Sequence, residues 1–419
     1  MDVITREIVI IGGGSAGIAA AVCAYNNGCK DILLLEKDAE LGGILLQCIH
    51  NGFGLHRFKE ELAGPAYAEK WVGMLNETGV EVKTSTTVIH LSKDRLITYV
   101  NPSEGYVTIK ANAVILATGC RERSRGAIAT PGYRPSGVWT AGTAQKYINM
   151  HGYMVGRRVF ILGSGDIGLI MARRMTLEGA NVLGVAEIMP YSNGLPRNMK
   201  QCLDDFDIPL YLSHTVTNIK GRDRLTGITI NKVDEKLNPI PGTEIYFDVD
   251  TLLMSVGLIP DTALASEAGI KLHPKTKGAV VDEHMMTSIP GIFACGNGLH
   301  VHDLVDFVSL EGEEAGLAAA KYISGKLTHN KSIEITAGEG VSYVLPTYID
   351  TDAMEDITEL KLRVGNNARN VRIVLSQGDK QIKEIKKLRI APSEMEKFPI
   401  SREELSGCVN NLTISVKEQ

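Results

Sequence analysis

Glu7–Lys37 reads EIVIIGGGSAGIAAAVCAYNNGCKDILLLEK. Ile8 to Ile11 is a short, β-branched apolar run, which predicts a strand buried on both faces. Gly12, Gly14 and Gly17 follow at G-x-G-x-x-G spacing. The first glycine permits a tight turn, the second lets the backbone approach a pyrophosphate, and the third lets a helix pack closely on the strand. After Ser15, Ala16 to Ala24 continues as a small-residue helix whose N-terminal partial charge favours phosphate. A second strand, Ile32 to Leu35, ends at Glu36 and Lys37, and the Glu36 carboxylate is placed to accept from a ribose hydroxyl. A glycine triplet alone would be a weak signal. Strand, glycines, helix, strand and terminal acid in this order make a dinucleotide half-site and predict an α/β fold.

The pattern returns at RRVFILGSGDIGLIMARRMTLEGANVLGVAE, Arg157 to Glu187. A strand Val159 to Leu162 leads into Gly163, Gly165 and Gly168, with Asp166 and Ile167 opening a helix that runs to about Glu178. A strand Val182 to Val185 follows, and Glu187 takes the place of Glu36. A carboxylate there accepts from a ribose diol and repels a 2′-phosphate, which favours NAD(H) over NADP(H). Arg173 and Arg174 read as solvated helix residues. Two half-sites suggest two dinucleotides: a flavin that stays and a nicotinamide that comes and goes.

Three further motifs agree: VILATGC (Val114 to Cys120), LLMSVGLIPDT (Leu252 to Thr262) and GIFACGNG (Gly291 to Gly298). With them, residues 5–328 resemble the two-dinucleotide-binding-domain flavoproteins of the pyridine nucleotide–disulfide oxidoreductase superfamily. The resemblance implies FAD at Gly12, Gly14, Ser15, Ala16, Gly17, Glu36, Lys37, Gly43, Ala117, Thr118, Gly119, Gly296 and Asn297. It implies NAD(H) at Gly163, Gly165, Asp166, Ile167, Gly168, Glu187 and Gly257. The late flavin motif of that family usually ends in an aspartate. Asn297 stands there instead, and its amide can bond a ribityl hydroxyl but adds no charge.

The segment LGGILLQCIHNGFG, Leu41 to Gly54, follows the first half-site. In the disulfide-reductase branch a cysteine pair follows the glycines; here those positions are Leu45 and His50. The chain has no C-x-x-C either. A dithiol relay is therefore not expected. Cys48 reads either as a small packed residue near the flavin or as a nucleophile. His50 reads either as a proton carrier over the flavin or as a loop histidine satisfied by a carbonyl. The wording GGILLQCIHNGFG, ATGCRERSRG, GVWTAGTAQKYIN and ILGSGDIGLIMARR resembles flavoproteins associated with anaerobic glycerol-3-phosphate dehydrogenase. It also resembles the alpha-type subunits of sarcosine oxidase, proline dehydrogenase and opine dehydrogenase. That group acts in multi-subunit complexes, which implies an electron-transfer partner.

His300, His302 and Asp303 lie in GNGLHVHDLVDF. The H-x-H spacing invites a metal, but no further zinc-like ligand set appears, so no metal is expected and a flavin-edge or helix-start role is read instead. Arg121, Glu122, Arg123 and Arg125 read as a solvated linker, a hinge or a docking contact.

The expected architecture is an NAD(H)-binding domain (119–257) inserted in a discontinuous FAD domain (1–118 and 258–330), with a C-terminal β-rich interaction domain over 331–419. A helix Glu313 to Ile323, stopped by Gly325, is predicted to close the FAD domain. Beyond it Leu360, Leu362 and Val364, and later Leu412, Ile414 and Val416, alternate with polar residues. That predicts a small antiparallel β domain with one face buried, acting as an interaction or dimerisation module or as a passive cap. Net charge is −5, which does not suggest a nucleic-acid partner. Seven scattered cysteines argue against a disulfide framework, and no apolar run reaches the roughly 18 residues of a membrane span. A soluble cytoplasmic protein, in an oligomer or hetero-complex, is expected.

The expected function is FAD-dependent NAD(H) oxidoreduction, passing electrons to a partner subunit or small acceptor. The alternatives are a substrate-oxidising subunit for glycerol 3-phosphate or a secondary amine, and a non-catalytic flavoprotein scaffold.

Overall fold

Ile8, Val9 and Ile10 are fully buried, and their strand, Ile4–Ile11, has parallel neighbours on both sides, Ile32–Leu35 and Gly105–Leu116. The computed structural model describes residues 4–327 and 333–418. It divides into two compact units, one of residues 1–120 and 260–419 and the other of residues 121–259.

In the first unit the sheet runs Glu81–Lys83, Ile32–Leu35, Ile4–Ile11, Gly105–Leu116, Leu96–Asn101, Thr87–Leu91. Ile292–Ala294 adds in parallel beside Gly105–Leu116. The second unit repeats the plan. Its parallel sheet runs Val138–Thr140, Thr251–Met254, Arg158–Leu162, Asn181–Glu187, Leu210–Leu212, and a three-stranded antiparallel sheet accompanies it. Both are doubly wound dinucleotide-binding folds, as the sequence predicts.

The long helix of the first unit spans Val305–Ile323, starting at Val305 rather than Glu313. Its first turns carry buried Asp306 and Glu311, which break the apolar stripe that would have marked them. It lies directly on the first helix, Ser15–Asn26. A Cβ on Gly312 would sit 2.2 Å from the Ala16 carbonyl oxygen, and one on Gly316 2.3 Å from that of Ala20.

The C-terminal segment is β-rich, as expected, and forms two sheets around a core that includes Ile373, Leu375, Phe398 and Ile414. Two expectations need correction. Ile333–Ala337 pairs in parallel with Leu412–Glu418, so the domain is not wholly antiparallel. The strand Ile357–Val364 is also covered on both faces. Leu360, Leu362 and Val364 enter the β core, while Lys361, on the charged face, is 7% exposed. Charged residues alternating with leucines read as a wet face, but here they meet opposite charges instead. The expected start of this domain, at residue 331, lies outside the described residues. Among the described residues no helix is long and apolar enough to cross a membrane.

Gly316→Ala should lose about 1–3 kcal/mol of stability in chemical denaturation, because the new methyl meets a backbone oxygen that cannot move aside. Gly73→Ala, where a Cβ meets nothing within 4 Å on an exposed helix face, should be neutral or stabilising by up to about 1 kcal/mol. Equal effects at the two sites would contradict the close helix contact.

Candidate functional site

The two half-sites are built by the same bonds. Gly12 and Gly163 adopt φ of 112° and 101°, and a side chain at either would strike the carbonyl of Ala117 or Ser255. Each turn is pinned to the second strand by a backbone bond, Gly12 N–H to the Leu35 carbonyl (2.9 Å) and Gly163 N–H to the Ala186 carbonyl (2.7 Å). Glu36 and Glu187 are both buried. Glu36 accepts from the N–H groups of Gly13 (2.6 Å) and Asp38 (2.7 Å). Glu187 accepts from the N–H groups of Ser164 (3.0 Å) and Met189 (3.0 Å), and from the Ser164 hydroxyl (2.7 Å). A carboxylate has about four acceptor positions, so Glu36 retains about two and Glu187 about one. Gly13 and Ser164 occupy the first variable position of the two glycine motifs. Only comparing the motifs with each other would have marked them.

The residues fit a diphosphate between the glycines. A Cβ on Gly14 would meet nothing within 4 Å, and one on Gly165 only the Ser255 hydroxyl at 4.0 Å. The first helix starts at Ser15, which is buried, with no side-chain cap and no acid in its first turn. Its leading N–H groups and dipole suit an anion. The second helix starts at Asp166, whose Oδ1 is occupied by the Leu195 N–H (2.9 Å) and the Asn198 amide (2.7 Å), while Ile167 packs on the local core and Gly168 lies beneath the turn. Lys37 is exposed. Gly43 lies against Gly14: a Cβ on it would be 3.2 Å from the Gly14 Cα. Ala117, Thr118 and Gly119 close the first half-site, with the Thr118 hydroxyl donating to the Asp261 carbonyl (2.6 Å). Gly257 holds the matching place in the second unit, where its carbonyl accepts from the Arg123 N–H (2.9 Å).

The late turn Gly296–Gly298 stands beside the first helix, since a Cβ on Gly296 would be 2.8 Å from the Ala16 Cβ. Asn297 Oδ1 accepts from the His302 N–H (3.0 Å). The Gly296 N–H donates to Glu311 Oε2 (2.7 Å). Glu311 is 1% exposed and also takes His302 Nε2 on Oε2 (3.0 Å), with His300 Nε2 and Lys361 Nζ on Oε1, both at 3.0 Å. Burial and then the neighbouring His302 push His300 down to about 4, so its ring is neutral near pH 7. A neutral ring that donates from Nε2 accepts at Nδ1, where the Tyr343 hydroxyl lies 3.5 Å away. Burial opposes charge on Glu311, but Lys361 and the two histidines hold it well below the usual carboxylate range. The sequence marks His300 and His302. It gives no sign of Glu311 or Lys361, which reach them from a helix and a distant strand.

Cys48 and His50 leave a short 3₁₀ turn, Gly43–Gln47. The Cys48 thiol lies 3.3 Å from the Ile44 carbonyl, and burial pushes it up to about 12, so it is a thiol rather than a thiolate at neutral pH. His50 Nδ1 is 3.1 Å from the Asn51 carbonyl, and its ring stands 5.0 Å from that of Phe53. The charged run after Cys120 has local work. Glu122 accepts from the N–H groups of Gly142 (2.7 Å) and Thr143 (3.3 Å) at the start of the helix Ala141–His151. The Arg125 guanidinium binds the carbonyls of Thr130, Pro131, Gly132 and Tyr133.

Known proteins share this plan. The chain is 28% identical over 344 residues to an NADH oxidase of Methanocaldococcus jannaschii, covering 76% of this chain and 68% of that protein. It is 25% identical over 353 residues to one of the subunits of an opine oxidase of Agrobacterium tumefaciens, covering 78% and 68%. Thioredoxin reductase of T. acidophilum superposes with a TM-score of 0.62 over 76% of this chain and 98% of that one, at 23% identity, which speaks to the fold alone. Residues 6–309 match the pyridine nucleotide-disulphide oxidoreductase family. That match runs from the strand before Gly12 to beyond the Gly296–Gly298 turn, and the chain accordingly belongs to this family and is an FAD-dependent oxidoreductase.

Proposed function

We propose that the protein oxidises NADH with bound FAD and passes the electrons to a partner redox subunit or a small acceptor, without a cysteine pair. The duplicated half-site carries this reading. Two cradles with the same glycine turn and the same amide-bound glutamate in one chain suit a transfer between two dinucleotides. FAD, when bound, supplies an acceptor for two electrons and the means to release them to a second molecule. The chain's part is binding, orientation and exclusion of water.

Gly12–Gly17, Glu36, Ala117–Gly119 and the Gly296–Asn297 turn are the residues that would hold FAD. Gly163–Gly168, Glu187 and Gly257 are those that would hold NAD(H). The buried carboxylate of Glu187 disfavours a 2′-phosphate, which supports NADH over NADPH. The likeness to an NADH oxidase supports the same cofactor. Cys48, protonated at neutral pH, supports a route that uses no thiolate. The likeness to part of an opine oxidase favours a second reading, in which this chain belongs to a complex that oxidises a secondary amine or amino acid; glycerol 3-phosphate is a further substrate to test.

Anaerobic titration with NADH separates these. The first reading predicts loss of the oxidised-flavin absorbance on the timescale of turnover. A flavin spectrum unchanged by NADH but bleached by a secondary amine or glycerol 3-phosphate would overturn it in favour of the second. Two variants test the assignments. Gly14→Val should keep the fold by circular dichroism and lose FAD, because its side chain projects into space no protein atom fills; retained flavin would contradict the placement. Glu187→Gln keeps one acceptor oxygen for the two Ser164 donors, which share Oε2, gives up the acceptor for the Met189 N–H on Oε1, and removes the charge. It should raise the NADPH-to-NADH ratio of kcat/KM by about tenfold or more, and an unchanged ratio would count against Glu187 as the selector.

A further inference from the structure

The carboxylate of Glu311 gathers four donors from three parts of the chain. Gly296 belongs to the late turn, His300 and His302 to the loop after it, and Lys361 to the strand Ile357–Val364 of the C-terminal β domain. Lys361 Nζ also reaches Glu314 Oε2, at 3.0 Å, one turn further along the long helix. Arg363, on the same face of the strand, binds the Val301 carbonyl (3.1 Å) and the Asp303 carboxylate. Tyr343 pairs with Arg363 in register and brings its hydroxyl to His300. The β domain thus grips residues 300–303 and the underside of the Gly296 turn with three side chains from two adjacent strands.

The ligand atoms of His300, His302 and Glu311 lie within 4.8 Å of one another, a spacing a metal could use. The lysine ammonium already supplies a cation here, and with Gly296 and the two histidines it fills the acceptor positions of Glu311. The cluster is a hydrogen-bond hub with its carboxylate fully engaged.

We propose that Glu311 and Lys361 are positioning residues for the flavin: through the Gly296 N–H they set the late turn against the first half-site, which makes the C-terminal β domain a working part of the cofactor site. This rests on the assignment of FAD to the Gly12–Gly17 half-site. Charge-assisted bonds are shorter and stronger than neutral ones, and the bond from Gly296 is such a bond. Removing Lys361 strands the Glu311 charge in a buried site, which forces the carboxylate or its surroundings to rearrange. Gly296, on one of its oxygens, moves with it.

The test is FAD titration of the deflavinated full-length chain, well below its thermal midpoint, read by flavin fluorescence and visible circular dichroism. Lys361→Met should weaken FAD binding at least tenfold and alter the visible dichroism of the flavin, with the far-ultraviolet spectrum unchanged. The pair Glu311→Gln with Lys361→Met leaves no stranded charge and keeps a neutral oxygen for Gly296. It should recover part of the affinity, remaining about threefold weaker than wild type. If Lys361→Met alone does not fold, the pair carries the test. FAD affinity within twofold of wild type in the folded variants would overturn the proposal and leave the hub a structural clamp. Wild-type protein that takes up no FAD would overturn the cofactor assignment itself.

Discussion

Gly312 and Gly316 let the backbone of the long helix rest on the backbone of the first helix, and much of the first unit depends on that approach. The first helix begins where the Gly12 turn ends, so its position sets the open space above Gly14. The Gly296 turn is set by its approach to Ala16 on the same helix. The long helix also carries Asp306, which binds the N–H groups of Gly54 and Arg57, and Glu311, which binds that of Gly296. One tight helix pair therefore fixes the Gly54 end of the segment Leu41–Gly54 and the late turn relative to the glycine motif.

The half-sites were legible in the sequence because their determinants are local. A β-branched strand, a glycine spacing and a terminal acid lie within some thirty residues of each other in each copy. Ile32–Leu35 forms over the predicted residues, and the other strands and helices of the two motifs differ only at their ends. The contacts that complete the site were not legible because they are remote and polar. Lys361 stands fifty residues after Glu311, and nothing in either neighbourhood shows that they pair. Their partnership reverses the ordinary reading of an alternating strand, since Lys361 on the charged face of Ile357–Val364 is buried like the leucines on the other. The early start of the long helix was hidden for the same reason, with Asp306 and Glu311 occupying core positions. Glu122 and Arg125 look like linker charges, and only the fold shows them holding a helix start and a loop.

The duplication also bears on the chemistry. Both glutamates are held by the N–H of the residue after the first glycine, so each is fixed in place by the chain itself. Preorganised acceptors of this kind lower the ordering cost of binding. The second copy adds the Ser164 hydroxyl as a third donor to Glu187, which ties it more firmly to its turn. The neutral His300 and the ionised Glu311 beneath the late turn form a fully bonded set that involves neither Cys48 nor His50.

The proposed transfer from NADH to FAD requires two separate dinucleotide cradles in one chain. The most direct measurement is binding stoichiometry by calorimetry, titrating deflavinated protein first with FAD and then with NAD⁺. One FAD and one NAD⁺ per chain, with neither displacing the other, is the predicted result. A single dinucleotide per chain, with FAD and NAD⁺ competing for it, would contradict the account.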